Sequence, residues 1–576
     1  MENKKNNFLN FVNILIILLL IFFTASVNAT IYYVDQNHPL ASDENPGTEE
    51  LPWKTINHAC DILVAGDTVY VKEGHYDLGC TTWHTPAANP AHSGTQDNPI
   101  VFKVYPGHRV TVEAQIDNPS EFPDGPTIGS NGRDYIIWDG FTIPFNKGYF
   151  SLRNCTGCIL QNCIHEGRDT TSTDNHPGIV LNSTDGAIIR NCIIGNIKGG
   201  SFNSAGILLY YTKNTLVEHN EIYNCNTLVY DKDTGQNNIY RRNLFHDDVN
   251  YGLRIPGNPG DVNNFQIYEN VFYNINYAAI GLNVDNHNHE IYNNVFYNCR
   301  NAVVFNATSN TNIHLYNNIF YRCNKAYEGR CPACIGYSDY NNFYQSAVCN
   351  NNDLSSWRSS SGFDENSIES DPLFVNAEAH DFHLRPNSLC LNAGIDRQDY
   401  DGDGNTTEPI NMGCYITGDE IIGPILNQGP EVSNESPARN ATDVPKDTNI
   451  SFDITDSDGV NQSSISVSVN GNNVTSSCTI TAISNGFHIL YDPPEDFDYR
   501  QDVTVLVTAT DGLGNTINDS WSFKIKQLSD VARFDASLNG SSVKLSWEVP
   551  NDPDYAGVEI RCFSSPDHNY EVYPAN

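Results

Sequence analysis

An internal repeat constrains this chain more than any other feature of its sequence. Eight similar short segments each contain an asparagine followed two places later by an apolar residue, and the asparagines of successive segments lie 29, 29, 23, 27, 24, 24 and 24 residues apart. Units of this length cannot bury an apolar face alone, so tandem copies are typical of solenoids in which each coil covers its neighbours. The repeated asparagines are Asn162, Asn191, Asn220, Asn243, Asn270, Asn294, Asn318 and Asn342.

The repeat also predicts the type of solenoid. Side chains alternate along a strand, so each Asn and the residue two places on point to the same side. A second short strand recurs as a small residue followed by apolar, variable and apolar positions, as in Gly206 to Leu209, and no helical period appears. The pattern therefore predicts an all-β fold, a parallel β-helix, with the asparagines hydrogen-bonded to neighbouring coils at one corner. The predicted buried stack is Ile164, Ile193, Ile222, Phe245, Phe272, Phe296 and Phe320.

The charge of the chain argues against nucleic acid as a partner. Its net charge is −37, and phosphate binding needs clustered Lys and Arg. An acidic protein that binds a polyuronate must supply local cations, either well-placed Lys and Arg side chains or bound calcium. A neutral glycan needs neither of these.

The N-terminus has the order of a secretory signal peptide. Two lysines precede an apolar run from Phe11 to Phe23, and small residues follow up to Ala29. We predict a signal peptide over residues 1–29 with cleavage after Ala29, rather than an uncleaved anchor, because the run is short for a membrane span. The protein is then secreted or held at the cell surface, with no membrane span after cleavage.

The sixteen cysteines fit an exported chain. The pairs Cys155/Cys158 and Cys331/Cys334 have the spacing of metal ligands, but zinc sites usually need a second pair or histidines nearby. Disulfides or buried thiols are therefore the favoured interpretation.

Three stretches resemble right-handed parallel β-helix proteins of the pectate-lyase type. They are the opening "IYYVDQNHPLASDENPGTEELPWKTINHACDILVAGDTVYVKEGHY", the stretch "DYIIWDGFTI" and the exit "DPLFVNAEAHDFHLRPNSLCLNAG". The resemblance covers residues 30–420 and implies a capping helix near Ile56–Leu63 and a carbohydrate-active protein. It does not fix the activity, because this fold carries lyases, hydrolases, epimerases and inert adhesins.

The composition changes after residue 422. A segment rich in Pro, Asn and Ser is followed by alternating strands, and residues 426–527 resemble bacterial immunoglobulin-like β-sandwich modules. Residues 530–576 resemble the first half of a fibronectin type III domain. The sequence therefore predicts a β-helix over residues 30–422, followed by one complete and one partial sandwich module.

Arg254 is the first candidate for chemistry. It occupies an outward position at which most coils carry an apolar residue, such as Leu208 or Val229. β-Elimination on a uronic acid needs a cation beside the carboxylate and a base for the neighbouring carbon-bound proton. Lys232 lies 22 residues earlier, about one coil, and the two resemble the Lys/Arg pair of the chondroitinase B and alginate lyase family. We predict Lys232 and Arg254 as catalytic residues, the alternative being a surface arginine in a salt-bridge network.

The resemblance to that family is incomplete. Lys232 is predicted to lie in the turn after its strand, and the positions of the family's acidic calcium ligands hold Cys225 and Thr227. Asp231 and Asp233 flank Lys232, and their carboxylates oppose deprotonation of the amine unless calcium engages them. The predicted mechanism therefore implies dependence on calcium.

An aromatic column follows the repeat, three places after each asparagine. Alternation places Tyr273, Tyr297 and Tyr321, together with His246, on the outer surface. Amphipathic rings stacked about 5 Å apart form a surface for sugar faces. We predict that these four residues bind substrate, the alternative being ring stacking for stability alone.

The stretch "DRQDYDGDGN" has the alternating carboxylates of a calcium loop. Its predicted ligands are Asp399, Asp401, Asp403 and Asn405, and Gly404 allows the turn. The glutamate at the twelfth position of an EF-hand is absent, so only the ligand-rich half matches. The predicted calcium is structural and fixes the exit from the solenoid.

The sequence leaves three functions open. The first is binding and lyase-type cleavage of an extracellular polysaccharide by a monomer. The second is a non-catalytic, adhesin-like role in glycan binding at the cell surface. The third is glycoside hydrolysis by paired carboxylates in the turns that hold Glu166 and Asp169, or Asp247 and Asp248.

Overall fold

The chain divides into two compact units, residues 1–426 and 427–576. Residues 1–28, which hold most of the predicted signal peptide, lie outside the part of the chain that the structure describes. No helix among the described residues is long and apolar enough to cross a bilayer. The computed structural model describes residues 29–576 except 82–83, 117–124, 170–176, 249, 256–261, 400–404, 407, 419, 426–428, 457–458, 484, 512–514, 528–531, 541, 549–560, 564–569 and 573–576.

The first unit is a parallel β-solenoid of about 9 turns, in which successive coils add strands to three sheets. The strands of sheet 1 are Ile31–Val34, Thr68–Val71, Ile100–Val104, Ile136–Asp139, Ile159–Gln161, Ile188–Arg190, Leu216–Glu218, Ile239–Arg241, Gln266–Tyr268, Glu290–Tyr292, Ile313–Tyr316 and Ile335–Asp339. The strands of sheet 2 are Gly74–Thr81, Val110–Ile116, Thr142–Ile143, Ile164–His165, Ile193–Gly195, Glu221–Tyr223, Leu244–His246, Val271–Tyr273, Val295–Tyr297, Ile319–Tyr321 and Asn342–Tyr344. The strands of sheet 3 are Pro126–Asn131, Tyr149–Arg153, Ile179–Asn182, Ala205–Tyr210, Thr227–Lys232, Tyr251–Ile255, Ala278–Leu282, Asn301–Phe305, Lys325–Gly329 and Ala347–Cys349.

A helix packs at each end of this solenoid core. Helix α1, Ile56–Ile62, begins after Thr55, whose side chain accepts a hydrogen bond from the backbone of His58, and it buries Ile56 in the core of the first coils. Helix α2, Leu354–Ser361, buries Trp357 beside the last coils. The smaller elements are a 3₁₀ turn at Ala377–Ala379 and the strand pairs Arg168–Asp169 with Ile197–Lys198, Val262–Asn263 with Asn286–His287, Phe374–Asn376 with Asp381–Leu384, and Gly394–Ile395 with Pro409–Ile410.

The central coils confirm the predicted corner and core. At the corner between sheets 1 and 2, the buried asparagines donate from Nδ2 to the Oδ1 of the next coil's asparagine at 2.9 to 3.2 Å. Behind the corner, phenylalanine rings of successive coils stack with centroids 4.8 to 5.2 Å apart. The ladder is Asn220, Asn243, Asn270, Asn294, Asn318 and Asn341, and the ring stack is Phe245, Phe272, Phe296, Phe320 and Phe343. In the last coil the ladder position belongs to Asn341 and not to the predicted Asn342, whose Nδ2 donates to the carbonyl of Ser370 instead.

The first two coils are shifted by one residue from the predicted register. Asn162 and Asn191 have φ of 55° and 54° at the corner itself, a left-handed conformation that Asn tolerates better than most residues. Cys192 takes the ladder position, where its backbone N–H donates to Asn220 Oδ1 at 2.9 Å. Ile164 therefore points outward and is 38% exposed. Ile193 points outward as well, and the core positions in these two coils belong to His165 and Ile194.

Cys331 and Cys349 form a disulfide near the end of the solenoid. Twelve other cysteines of the described residues are free thiols, and most of them are buried in the cores, Cys155, Cys158 and Cys334 among them. The prediction of disulfides or buried thiols agrees with this arrangement.

The second unit contains two four-stranded antiparallel sheets around a common core that includes Phe452, Val505 and Trp521. One sheet has the strands Glu431–Ser436, Ile450–Thr455, Gly486–Tyr491 and Cys478–Ile483, and the other has Asn472–Asn473, Ser466–Val469, Asp502–Thr510 and Thr516–Lys524. Two 3₁₀ turns, Gln462–Ser464 and Thr475–Ser477, precede the strands Ser466–Val469 and Cys478–Ile483, respectively. The remaining described strands pair as Ala532–Asn539 with Ser542–Glu548 and as Arg561–Phe563 with Tyr570–Val572. The domain limits and the immunoglobulin-like and fibronectin type III interpretations stay predictions.

The ring stack yields a stability prediction. Phe296 is fully buried between the rings of Phe272 and Phe320, so Phe296→Ala should lower the free energy of unfolding by about 3–5 kcal/mol. Denaturant titration measures this change, and Phe145→Ala, at a ring that is 47% exposed, is the matched control. A loss below about 1 kcal/mol for Phe296→Ala would contradict its burial.

Candidate functional site

The outer face of sheet 3 carries the predicted catalytic pair. Strands of adjacent coils pair in parallel, and every second side chain points away from the core. In one outward column Leu208, Tyr230 and Arg254 are in register, and in the next column Tyr210 is in register with Lys232. We define the sheet 3 patch as the six residues Phe202, Tyr210, Tyr230, Lys232, Tyr251 and Arg254.

Aromatic rings, not carboxylates, surround Arg254. Its Cζ atom lies 4.2 Å from the ring centroid of Phe202, 4.8 Å from that of Tyr230 and 5.2 Å from that of Tyr251, within the range of cation–π contacts. The Nε atom is buried and has no hydrogen-bond acceptor, and Arg254 makes no ion pair within the described part of the chain. The interpretation of Arg254 as a member of a salt-bridge network is therefore not supported.

Lys232 is the last residue of its strand and does not lie in the following turn, which corrects the sequence-based placement. Its Nζ atom lies 5.2 Å from the ring centroid of Tyr210 and 6.0 Å from that of Tyr230. Both predicted cations therefore lie over the Tyr230 ring. Val229, predicted to point outward, is in the core instead, because Tyr230 takes the outward position of that coil.

The tyrosines of the patch stay protonated and neutral at physiological pH. Burial raises the pKa of Tyr210 and of Tyr251 to about 12. Burial also raises the pKa of Tyr230, although the positive charge of Arg254 opposes that shift. Each phenol is therefore a potential hydrogen-bond donor, and the patch combines three O–H groups with two cations.

The acidic residue that precedes Lys232 does not face it. Asp231 points into the core, where its Oδ2 accepts hydrogen bonds from the Tyr240 hydroxyl at 2.6 Å and from Asn238 at 2.8 Å. Burial raises the pKa of this carboxyl to about 6. Within the described residues, no group of three His, Cys, Asp or Glu side chains is placed to hold a metal ion.

The tyrosine column of sheet 2 faces away from the solenoid core, as predicted, but it is not an open surface. Tyr273, Tyr297 and Tyr321 are in register, and the last two rings stack at 5.4 Å. The segment that follows the solenoid packs Phe374 and Phe382 against them, which leaves the three tyrosines 6%, 5% and 8% exposed. The expectation of an exposed sugar-binding strip is therefore wrong, because these rings belong to a second apolar core.

His246 lies in the same column and is enclosed as well. Its ring stacks between those of Tyr223 and Tyr273, with centroids 5.2 and 4.5 Å away. Its Nδ1 lies 2.8 Å from Oδ2 of Asp247, and its Nε2 lies 3.1 Å from Oε1 of Glu221. Because both ring nitrogens are engaged within the protein, the structure does not present His246 to a substrate as the sequence predicted.

The predicted calcium loop lies only partly within the described residues. Asp401 and Asp403 lie outside them, and Asn405 donates from Nδ2 to Oε1 of Glu408 at 3.0 Å. Calcium binding by these residues and Asp399 stays a prediction.

Glu166, Asp247 and Asp248, three of the turn carboxylates of the hydrolase alternative, have structural partners. Glu166 pairs with Arg109 at 2.5 Å. Asp248 is fully buried and accepts a hydrogen bond from the backbone N–H of Asn250. His165 takes a core position, where burial lowers its pKa to about 4. These contacts give glycoside hydrolysis no supporting pair of free carboxylates.

Sequence reasoning missed the aromatic half of the patch. An alignment of the repeats that places Tyr230, and not Val229, opposite Leu208 and Arg254 would have identified Tyr230 as the outward residue of its coil. Phe202 lies in the loop before its strand, and no periodicity marks that position.

A family model described as "Right handed beta helix region" matches residues 128–283. The matched stretch includes the sheet 3 patch and the first part of the asparagine ladder. Together with the three stacked parallel sheets, it identifies the solenoid as a right-handed parallel β-helix.

Individual proteins are similar to this chain at low identity. A curated relative, "Uncharacterized protein YwoF" of Bacillus subtilis (strain 168), is 33% identical over 105 residues, which are 18% of this chain and 20% of the relative. Pectate lyase Pel9A is 14% identical with a TM-score of 0.47 over 68% of this chain and 98% of its own. PfbA, a surface adhesin of Streptococcus pneumoniae, is 11% identical with a TM-score of 0.29 over 53% of this chain and 84% of its own. The match to the curated relative thus covers about a fifth of that protein's length.

The buried carboxyl of Asp231 yields a pH-dependent prediction. Its folded-state pKa of about 6 lies above the unfolded value of about 3.9. Its contribution to stability is therefore complete only below about pH 4 and is lost as the pH rises through about 6. Asp231→Asn keeps an acceptor oxygen for both donors but cannot ionise. When the pH is raised from 4 to 8, the free energy of unfolding of the parent should therefore fall by about 2–3 kcal/mol more than that of the variant.

Urea titrations at both pH values measure this difference. Asp61→Asn, at an exposed position, is the control for the loss of one carboxylate. Equal pH dependence in Asp231→Asn and the parent would contradict a raised pKa for Asp231.

Proposed function

We propose that the sheet 3 patch binds an acidic extracellular polysaccharide and that Arg254 takes a uronate carboxylate. The observation that carries this proposal is a guanidinium on three aromatic rings, without an ionic partner in the described residues, in a chain of net charge −37. A carboxylate at this position would supply the acceptor that the buried Nε atom lacks. The predicted signal peptide fits a ligand outside the cell.

The other side chains of the patch suit the sugar rings of such a polymer. Tyrosine rings offer apolar faces to the C–H faces of pyranoses, and their hydroxyls donate hydrogen bonds to ring substituents. Lys232 lies on the strand next to that of Arg254, two residues after Tyr230, and supplies a second cation for a charged polymer. Because adjacent strands lie about 4.8 Å apart, the patch extends along the solenoid axis over about three coils.

Cleavage by β-elimination is the finer form of this proposal. Lys232 binds the polymer as a cation and must release its own proton to solvent before the step; the neutral amine then takes the proton from the carbon next to the carboxylate that Arg254 holds. The electron pair forms a carbon–carbon double bond while the bond to the glycosidic oxygen breaks, and the Tyr230 hydroxyl returns a proton to that oxygen. Two observations support these roles: Lys232 and Arg254 lie over one ring, and Asp231 faces the core, away from Lys232.

Binding can be tested without assuming catalysis. Arg254→Ala should weaken the binding of oligomers of galacturonate, alginate or chondroitin by about tenfold or more, because it removes a charge-assisted hydrogen bond. Arg254→Lys keeps the charge but not the planar fork, so its affinity should fall between those of the parent and Arg254→Ala. Isothermal titration calorimetry measures these affinities at a fixed salt concentration.

The matched control is Arg330→Ala, which removes an exposed arginine after a later strand of the same sheet. Equal losses in Arg254→Ala and Arg330→Ala would mean that general charge, not the patch, attracts the polymer. Parent-like melting temperatures must accompany each comparison.

Cleavage has its own readout, the ultraviolet absorbance of unsaturated sugar ends released from polyuronates. We expect this signal in the parent with calcium and its loss in both Lys232→Ala and Arg254→Ala. Full activity in both variants would refute the assigned roles. New reducing ends without absorbance would favour hydrolysis, and binding without any cleavage would favour the adhesin-like alternative.

A further inference from the structure

A second polar groove lies at the corner between sheets 2 and 3 and shares no residue with the sheet 3 patch. Its volume is about 520 Å³, within the range of ligand-binding clefts. Four successive coils form it where each leaves sheet 2. We call this feature the corner groove.

One wall of the corner groove is a ladder of hydrogen-bonded side chains. Asn298 donates from Nδ2 to Oδ1 of Asn274 at 2.7 Å, and Asn274 donates from Nδ2 to Oδ1 of Asp247 at 3.0 Å. Arg322 stands next in this wall and pairs with Glu378 at 2.8 Å. Each member occupies a left-handed corner position with φ of 53° to 55°, so the wall repeats with the coils.

The other wall stands two residues further along each coil and consists of Asn276, Arg300 and Asn324. These side chains are exposed and make no hydrogen bond or ion pair with other described residues. Between the walls, Ile275 and Cys299 are each 1% exposed and form a closed floor. In one wall of the groove the polar side chains are therefore hydrogen-bonded or ion-paired within the protein, and in the other wall the donors and acceptors are available to a ligand.

The charges in the corner groove nearly cancel. Arg322 is neutralised by Glu378, and the half-exposed carboxylate of Asp247 at one end offsets the guanidinium of Arg300. A polyanion would meet Asp247, so the charge pattern favours an uncharged ligand rich in hydroxyls. Amide and guanidinium groups bind such ligands by paired hydrogen bonds to neighbouring hydroxyls.

We propose that the corner groove binds a linear neutral oligosaccharide of at least three sugar units, lying along the solenoid axis. Successive coils are about 4.8 Å apart, close to the length that one pyranose adds to an extended chain. Asn276, Arg300 and Asn324 then meet equivalent hydroxyls of successive sugars. This site is separate from the sheet 3 patch and does not depend on the function proposed there.

The test uses the purified full chain and three probes, the β-1,4-linked hexasaccharides of glucose, xylose and mannose, with calorimetry as the readout. At least one hexasaccharide should bind, and Arg300→Ala and the double variant Asn276→Ala/Asn324→Ala should each weaken it by about tenfold. Arg330→Ala and Arg254→Ala should leave this affinity unchanged. Oligogalacturonate binding should show the reverse pattern, which separates the two proposals.

Absence of binding by all three hexasaccharides would overturn the proposal. So would a parent-like affinity in Arg300→Ala together with a loss in Arg254→Ala, because the neutral sugar would then occupy the sheet 3 patch. The wall residues of this test are exposed, so unchanged melting temperatures are expected. A variant that lowers the melting temperature is replaced by Arg300→Gln, for which the same loss of affinity is expected.

Discussion

The buried asparagine ladder is the interaction on which the rest of the solenoid depends. Every coil must turn sharply from sheet 1 to sheet 2, and the turn would leave backbone groups buried without partners. Asn243 shows how this cost is avoided, because its Nδ2 donates to the carbonyl of Val217 and to Asn270 Oδ1, while its own backbone N–H donates to that same oxygen. The ladder thus fixes the register of each coil on the next, and the register decides which side chains face the core and which face solvent.

The same chemistry explains where prediction from the sequence succeeded and where it failed. The repeat identified the fold and the central stack, because Asn and the apolar residue two places on serve one corner in coils such as those of Asn243 and Asn270. At Asn162 and Asn191 the local pattern is the same, but the residue adopts the left-handed corner conformation and the following cysteine enters the ladder. Asn suits both positions, so the pattern alone cannot distinguish them, and only pairing with the neighbouring coil does.

Two further outcomes show the limits of alternation as a guide to function. Alternation correctly predicted that Tyr297 points away from the solenoid core, but it carries no information about the later segment that covers this ring. At the candidate site, Arg254 was recognisable because it interrupts an apolar column. Of the rings around it, Phe202 lies in a loop, and Tyr230 takes the outward position that the sequence pattern assigns to Val229. Long-range packing, which short sequence windows do not contain, determined both outcomes.

The coils that begin at Asn270 and Asn294 have one common length of 24 residues. Each offers its neighbours the same ladder bond and the same ring contact. Duplication or loss of one such coil would therefore leave every remaining coil with an equivalent partner on both sides, and no new core would have to form. The number of coils that line an elongated ligand can thus change during evolution in whole-coil steps, while the fold itself stays the same.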